Sequence, residues 1–133
     1  MEKDRNTNIA RLLCLLPGLF LIVSGLLLLL FPTVAQTLFD LPDINVLKEP
    51  IALAMGIRQL CIGLTITVLA FTKQTKALAY VMLIGTIVPL TDFIVFTPII
   101  GMVSALRHFA TVPFIFGIGL YLLTKTNKKQ LRN

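Results

Sequence analysis

The stretch LFLIVSGLLLLLFP, residues 19–32, decides the class of fold. It carries no charge, and Ser24 is its only side chain with a hydrogen-bonding group. With the residues before it, the stretch forms an apolar block from Leu12 to Phe31. This is about the twenty residues that a helix needs to cross a bilayer core ~30 Å thick. Because the block is longer than the ~7–15 apolar residues of a secretory signal, we expect it to remain as a first transmembrane span.

The rest of the chain continues this composition. Of its 133 residues, 56% are hydrophobic and only 14% are charged, which leaves too little polar surface for a soluble domain. The apolar residues fall into four blocks of spanning length, at about 12–31, 50–72, 77–96 and 105–124. The sequence therefore predicts an all-α fold, an integral membrane four-helix bundle in which residues 1–133 form one transmembrane domain.

Lysine and arginine lie mostly on one side of this predicted bundle. The two tails and the link between the second and third spans hold nine of them, whereas the link at 32–49 holds only Lys48. By the positive-inside rule, both termini should be cytoplasmic and the 32–49 link should face outward. We expect a multi-pass protein of the cell membrane, the inner membrane in a bacterium. The basic run KTNKKQLRN fits a stop signal at the lipid head groups, so we expect no nucleic-acid partner.

Four ionisable side chains interrupt the apolar blocks: Arg58, Asp92, Arg107 and His108. At a helical rise of ~1.5 Å per residue, all four lie in the outer half of the bilayer, although they come from three different spans. A charge that faces lipid costs at least ~2.5 kcal/mol, so we expect the helices to turn these side chains inward. Asp92 is the buried acid available to Arg58, and the sequence predicts an ion pair between them. Two arginines against one aspartate leave the pocket with surplus positive charge.

Prolines and glycines predict how the helices pack. Pro89 removes the backbone donor that would reach Gly85, and Pro113 interrupts the fourth span in the same way. Kinks there could open a cavity between the outer ends of the helices, although proline is also simply more frequent in membrane helices. Gly56 and Gly63 are seven residues apart, so they share one face of the second span and should bring a neighbouring helix close.

The outward link at 32–49 has the pattern of a short interfacial helix. Val34, Leu38 and Leu41 share helical spacing, and Thr33 can cap the amino end. Such a helix could cover the outer mouth of the bundle as a lid, or the link could be a solvated connector.

Three short motifs in these spans resemble one known family. They are G-I-R-x-x-x-x-G at residues 56–63, P-x-x-D at residues 89–92 and the histidine that opens the fourth span. The pattern resembles domain-of-unknown-function family 4267, which comprises small four-span membrane proteins, over about residues 12–123. The resemblance implies that Arg58, Asp92 and His108 are recurring polar positions. It brings no established activity.

Three functions fit the sequence. The first is a binding module whose polar pocket, in the outer half of the bilayer, holds an amphiphilic or anionic-headed lipophilic ligand such as a lipid or a quinone. Its ligand-binding residues would be Arg58, Gln59, Asp92, Arg107 and His108. The second is a membrane enzyme, a hydrolase or isomerase acting on a lipophilic substrate, with Asp92 as general base and Arg58 and His108 as proton donors. The third is a structural or accessory subunit in which the ion pair only fixes helix register.

The expected partners are membrane lipids. One histidine and one buried acid are too few ligands for a metal site, so we expect neither a metal nor another cofactor. The sequence leaves undecided whether the protein forms a homo-oligomer, because it has no strict G-x-x-x-G motif that would favour a helix dimer.

Overall fold

The computed structural model of the protein describes residues 2–39 and 49–130. Within these residues the chain forms eight α-helices and no strand, which confirms the all-α class. The helices are α1 (Glu2–Leu13), α2 (Leu15–Leu30), α3 (Pro32–Phe39), α4 (Glu49–Phe71), α5 (Thr75–Gly85), α6 (Ile87–Ile100), α7 (Met102–Phe109) and α8 (Val112–Gln130). The helix α3 is the described part of the link at residues 32–49. Leu41, which we expect on its apolar face, lies outside the described residues.

Three helical stretches are long and apolar enough to cross a membrane, by length and composition. They are Arg5–Leu30, which joins α1 and α2, Leu53–Phe71 in α4, and Thr75–Ile100, which joins α5 and α6. Large apolar side chains such as Ile94 and Val103 are strongly exposed on the outside of the molecule. Such a surface suits lipid rather than water and indicates a membrane protein.

The fourth predicted span, residues 105–124, is divided between α7 and α8. The apolar part of α8 covers residues 112–124, and lysines follow it in the same helix. That part is about 20 Å long, which is less than the ~30 Å of a bilayer core. Within residues 2–39 and 49–130 the structure therefore has three helices that can span a membrane, and not clearly four. It does not determine on which side the termini lie.

Three interruptions between successive helices lie where proline chemistry places them. The chain leaves α1 at Cys14, α5 at Thr86 and α7 at residues 110–111. In each case the last helical residue stands four residues before a proline, namely Pro17, Pro89 or Pro113. Proline has no N–H for the carbonyl four residues earlier, and its ring crowds that carbonyl. The interruptions predicted for Pro89 and Pro113 are confirmed, and Pro17 follows the same rule without having been predicted.

The helix α6 ends later than the third predicted span, which we expect to stop near Phe96. It continues through Pro98, which costs one backbone hydrogen bond without ending the helix. The chain turns instead at Gly101, where φ is 81° and ψ is 159°. Glycine adopts this combination at no steric cost, whereas a side chain would be strained there. The helix α7 then packs back on α6, and the rings of Phe93 and Phe109 lie 5.4 Å apart between centroids.

Threonine hydroxyl groups on the outer surface donate hydrogen bonds to backbone carbonyl oxygens of their own helices. Thr65 donates to the carbonyl oxygen of Cys61 at 2.8 Å, and Thr91 donates to that of Ile87 at 2.9 Å. Lipid tails offer no hydrogen-bond partner, so a hydroxyl group on such a surface is satisfied by the carbonyl one turn earlier. These side chains can therefore face lipid.

Two pairs of glycines bring α2 and α4 into close antiparallel contact. A Cβ atom built on Gly63 would lie 2.6 Å from the carbonyl oxygen of Gly18, and one built on Gly25 would lie 2.8 Å from that of Gly56. Neither distance is compatible with a side chain, so the backbones themselves touch at both levels. We call Gly18–Gly63 and Gly25–Gly56 the glycine pairs. The shared face of Gly56 and Gly63 is confirmed.

One end of the helical assembly is closed by a buried apolar cluster. It joins α1, α4, α5 and α8 where α4 ends and α5 begins. Its members, which we call the floor cluster, are Ala10, Cys14, Ile66, Ala70, Leu78, Ala79, Met82 and Leu122. Several of them have no exposed surface at all, including Leu78 and Leu122.

Candidate ligand cavity

A cavity of about 660 Å³ lies between the α2–α4 pair and the other helices. Residues of α2, α4, α5, α6 and α8 line it, together with the turn at residues 110–111. Most of the lining side chains are apolar. The polar ones are Ser24, Arg58, Gln59, Asp92 and Thr111. A volume of this size, with a mainly apolar wall and a few converging polar groups, is typical of sites for small molecules.

The helix kinks help to make this cavity. Pro17 and Pro89, which each follow an interruption, both line it. Gly85 lines it too, and a Cβ atom built there would meet no other atom within 4 Å. Where the kink separates α5 from α6, open space therefore replaces packed side chains. The sequence left open whether Pro89 shapes a cavity or is only a frequent membrane residue, and its place in the wall favours the first.

The glycine pairs show that the polar and apolar parts of the wall lie at different levels. Arg58 and Gln59 are within one turn of Gly56 on α4. Gly56 packs against Gly25, and Ser24 adjoins Gly25 on α2. About 12 Å farther along α4, eight residues after Arg58, the wall reaches the floor cluster. We call the part of the cavity around Ser24, Arg58, Gln59 and Asp92 its polar end, although apolar side chains one turn beyond them, those of Leu28, Met55 and Phe96, also line the wall.

Arg58 and Asp92 come from different helices and line the same cavity. Asp92 lies three residues after Pro89 on α6. It is also ten residues after Met82 of the floor cluster, which at the helical rise is ~15 Å toward the polar end. The sequence predicted that these two side chains would share one location, and this stays a prediction. The structure does not confirm the direct ion pair between them, which stays a prediction.

Gln59 is the third predicted ligand-binding residue in the wall. Its side chain is half-buried, and its Oε1 atom is fully buried without a hydrogen-bond partner in the described part of the chain. A buried acceptor of this kind costs ~1–3 kcal/mol when it stays unpaired. Gln59 is therefore the least satisfied described polar group at the polar end.

Arg107 and His108, the remaining predicted site residues, lie in the last turn of α7. Their side chains are outside the described part of the structure. The backbone continues from them into residues 110 and 111, which do line the cavity. The described wall carries one positive group, Arg58, and one negative group, Asp92. The expected positive excess thus depends on Arg107 and His108.

Two polar residues of the wall were not among the predicted site residues. The hydroxyl group of Ser24 is buried and donates to the carbonyl oxygen of Leu21 at 3.2 Å, so its oxygen can still accept a hydrogen bond. Thr111 lies in the turn that Pro113 causes. For Ser24 a signal existed, because it is the only polar side chain in its apolar stretch.

The donor set of the cavity suits recognition of an anion better than coordination of a metal. Among the described residues, no three side chains of histidine, cysteine, aspartate or glutamate come together as metal ligands. A guanidinium group binds carboxylate or phosphate through paired hydrogen bonds. The carboxamide of Gln59 lies in the same wall beside it.

The fold and the cavity define a small helical membrane protein in which Arg58 and Asp92 line one cavity. The family model for "Domain of unknown function (DUF4267)" matches residues 18–122, so the chain belongs to this family. The resemblance of its short motifs to that family is thereby confirmed, whereas the match does not confirm a count of four spans. It includes both glycine pairs and all five polar wall residues. No curated protein and no solved structure matches the chain.

Proposed function

We propose that the protein binds an amphiphile with an anionic head group in this cavity. The head would lie at Arg58 and Gln59, and the apolar part would extend toward the floor cluster. One observation carries the proposal: Arg58 and Asp92, from two different helices, line one cavity of about 660 Å³ whose wall is otherwise mainly apolar.

The energetics of charge within a membrane support binding over a purely structural role, because the side chain of Arg58 is exposed and not enclosed by other residues. An arginine inside a membrane costs several kcal/mol unless polar groups surround it, and intramembrane charges are accordingly associated with function. A phosphate or carboxylate head supplies the acceptors that the guanidinium group needs. The apolar wall beyond Arg58 would cover the rest of the amphiphile.

The proposal includes the arrangement in the membrane. We propose that α7 and α8 together make a fourth crossing of the cell membrane, with both termini in the cytoplasm and the polar end of the cavity in the outer half of the bilayer. The excess of lysine and arginine in the tails and in the link at residues 73–76 supports this orientation. A reporter fused after Asn133 should give a cytoplasmic signal, and an external signal would contradict the orientation.

The binding proposal is tested by native mass spectrometry of the protein purified in mild detergent. We expect the wild-type protein to retain an anionic amphiphile and Arg58→Ala to bind it about 10- to 100-fold more weakly, because a hydrogen-bonded charge is lost. Lys128→Ala is the matched control, since it removes an exposed positive charge on α8 outside the cavity. Equal retention by all three proteins would contradict the proposal.

A charge exchange separates binding from a structural ion pair. In the double variant Arg58→Asp with Asp92→Arg, a pair that only fixes helix register would still form. We expect the double variant to fold and yet to lose the anionic amphiphile. Full retention in the double variant would favour the structural alternative.

A further inference from the structure

The cavity is not closed on every side. Three large apolar side chains of its wall are also exposed, Leu16 by 59%, Phe20 by 56% and Phe114 by 42%. Met82, which lines the same cavity from α5, is only 1% exposed. Because Leu16 and Phe20 lie on α2 and Phe114 lies on α8, the wall is open where these two helices border it.

The helix faces place these three side chains at the edge of the cavity. On α2, Gly25 packs against α4, and at 3.6 residues per turn Leu16 lies on the opposite side of the helix, with Phe20 close to it. On α8, Gly119 packs against α5, and Phe114 lies well away from that side. Each of the three exposed side chains therefore points away from the helix on which its own helix packs.

The helices α2 and α8 have no extensive contact with each other in the described part of the chain. The helix α2 packs on α4, whereas α8 packs on α5 and, near the floor cluster, on α1. A gap thus remains between α2 and α8 beyond the floor cluster. We call this gap, which Leu16, Phe20 and Phe114 border, the lateral mouth.

The lateral mouth lies at the middle of a membrane-spanning stretch. Phe20 is fifteen residues after the start of the stretch Arg5–Leu30 and ten residues before its end, so ~15 Å of helix separates it from the nearer end. Its neighbours Leu19 and Val23 are apolar and exposed as well. At such a depth lipid tails surround the side chains, and water is absent. The lateral mouth therefore opens toward lipid.

We infer that the cavity is entered sideways through the lateral mouth, and that its occupant is a lipid of the surrounding bilayer. The inference rests on the proposed function and adds the class of ligand, because a molecule dissolved in the membrane reaches an opening at this depth and a water-soluble one does not. A space of about 660 Å³ suits a drug-sized molecule. A two-chain lipid would therefore place one chain in the cavity and leave the other in the bilayer.

Tryptophan fluorescence tests the lateral mouth directly, because the chain has no tryptophan of its own. Ile115→Trp puts a single tryptophan in the cavity wall, at a half-buried position. Phe116→Trp, at the next residue, is the lipid-facing reference, since it is exposed and outside the wall. Lys128→Trp is the water-facing reference, on the part of α8 that follows its apolar residues.

Each variant is placed in vesicles of phosphatidylcholine with brominated acyl chains, which quench tryptophan on contact, and iodide is added from the water. We expect Ile115→Trp to lose a large part of its fluorescence to the brominated chains and almost none to iodide, as in Phe116→Trp. Lys128→Trp should respond to iodide instead. Quenching of Ile115→Trp by iodide, or protection from both quenchers, would overturn the inference. Val81→Trp, in the wall on α5, repeats the measurement if Ile115→Trp does not fold.

A second substitution locates the opening. Combined with Ile115→Trp, Phe20→Ala removes a side chain from the border of the lateral mouth, so we expect stronger quenching by the brominated chains. Phe71→Ala is the matched control, because this phenylalanine at the end of α4 is exposed and outside the cavity wall. Equal quenching with either alanine would place the opening elsewhere and contradict entry between α2 and α8.

The outcomes separate this inference from the proposed function, because quenching requires no bound ligand. If brominated chains reach the cavity but the wild type and Arg58→Ala retain the anionic amphiphile equally, the lateral mouth stands and the proposed function fails. If retention depends on Arg58 but only iodide reaches Ile115→Trp, the proposed function stands and the occupant comes from water, which overturns the inference.

Discussion

The floor cluster and the polar end of the cavity share the helix α4, yet they are organised in opposite ways. At the floor, α1, α4, α5 and α8 meet through small and apolar residues, and Leu78 and Leu122 are fully buried. At the polar end, the kink at Thr86 and the turn at residues 110–111 separate the helices around open space. The first region is closely packed, and the second leaves open space beside polar side chains.

Together with the proposed function, this contrast predicts that stability and binding depend on different residues. A substitution in the floor should lower the free energy of unfolding and leave the folded protein able to bind. A substitution in the wall at the polar end should change binding with little loss of stability. Regions that open for ligands generally have fewer packed contacts than the rest of a structure.

The largest effect should come from a cavity made in the floor cluster. Leu78→Ala removes a fully buried side chain, and we expect the free energy of unfolding to fall by ~2–5 kcal/mol. Leu64→Ala is the control, because this leucine on α4 is exposed and its contacts with lipid are nearly replaced by other lipid atoms. Thermal unfolding in detergent, followed by circular dichroism, measures both. If the two variants have the same melting temperature, packing in the floor cluster does not determine the stability of the fold.

The second-largest loss of stability should come from substitutions in the glycine pairs, which connect the two regions. Gly63→Ala puts a methyl group 2.6 Å from the carbonyl oxygen of Gly18, so α2 and α4 must separate. We expect a loss of ~1–3 kcal/mol, as for other overpacked sites.

Gly117→Ala is the matched control for that substitution. Its methyl group meets nothing within 4 Å, and alanine favours the helix by up to ~1 kcal/mol. The control should therefore keep or raise the melting temperature. Equal melting of the two glycine variants would show that the close approach of α2 and α4 is not needed for stability.

The smallest expected effect is a loss of affinity without a loss of stability, and it comes from a substitution at the kink beside the cavity. Pro89→Ala restores the backbone donor to Gly85, which straightens the junction of α5 and α6 and narrows the cavity. We expect stability to be kept while the affinity for the anionic amphiphile of the proposed function falls about tenfold, or ~1.4 kcal/mol. Pro98→Ala is the control, because α6 continues through Pro98 without interruption. Unchanged affinity in Pro89→Ala would show that the kink between α5 and α6 is not needed for binding.

The features that could be predicted from sequence are those that depend on one stretch of chain. The spanning blocks, the shared face of Gly56 and Gly63 and the interruption before Pro89 each follow from local composition or backbone chemistry. The sequence analysis overlooked the interruption before Pro17, although Pro17 lacks the backbone N–H in the same way as Pro89. The fourth span was counted as one apolar block, whereas the break that Pro113 causes divides that block between two helices.

The features that could not be predicted depend on how several helices meet. No local pattern places Thr111 and Ser24 in one wall, and none shows that the floor closes around Leu78. The common location of Arg58 and Asp92 was expected because a membrane leaves few places for charge, and both line the cavity. Their direct pairing depends on side-chain geometry, which spacing along the chain does not determine.

The length of α8 has a practical consequence for imaging the protein. This helix runs from Val112 past its apolar part to Gln130, and at Lys125 its ammonium group lies 5.4 Å from the ring centroid of Tyr121. A rigid helical partner fused in phase after Gln130 would project from the detergent belt in a defined direction. Each residue inserted at the junction would turn that partner by ~100° and move it by ~1.5 Å. A short series of such fusions would give electron microscopy the alignment mark that so small a particle needs.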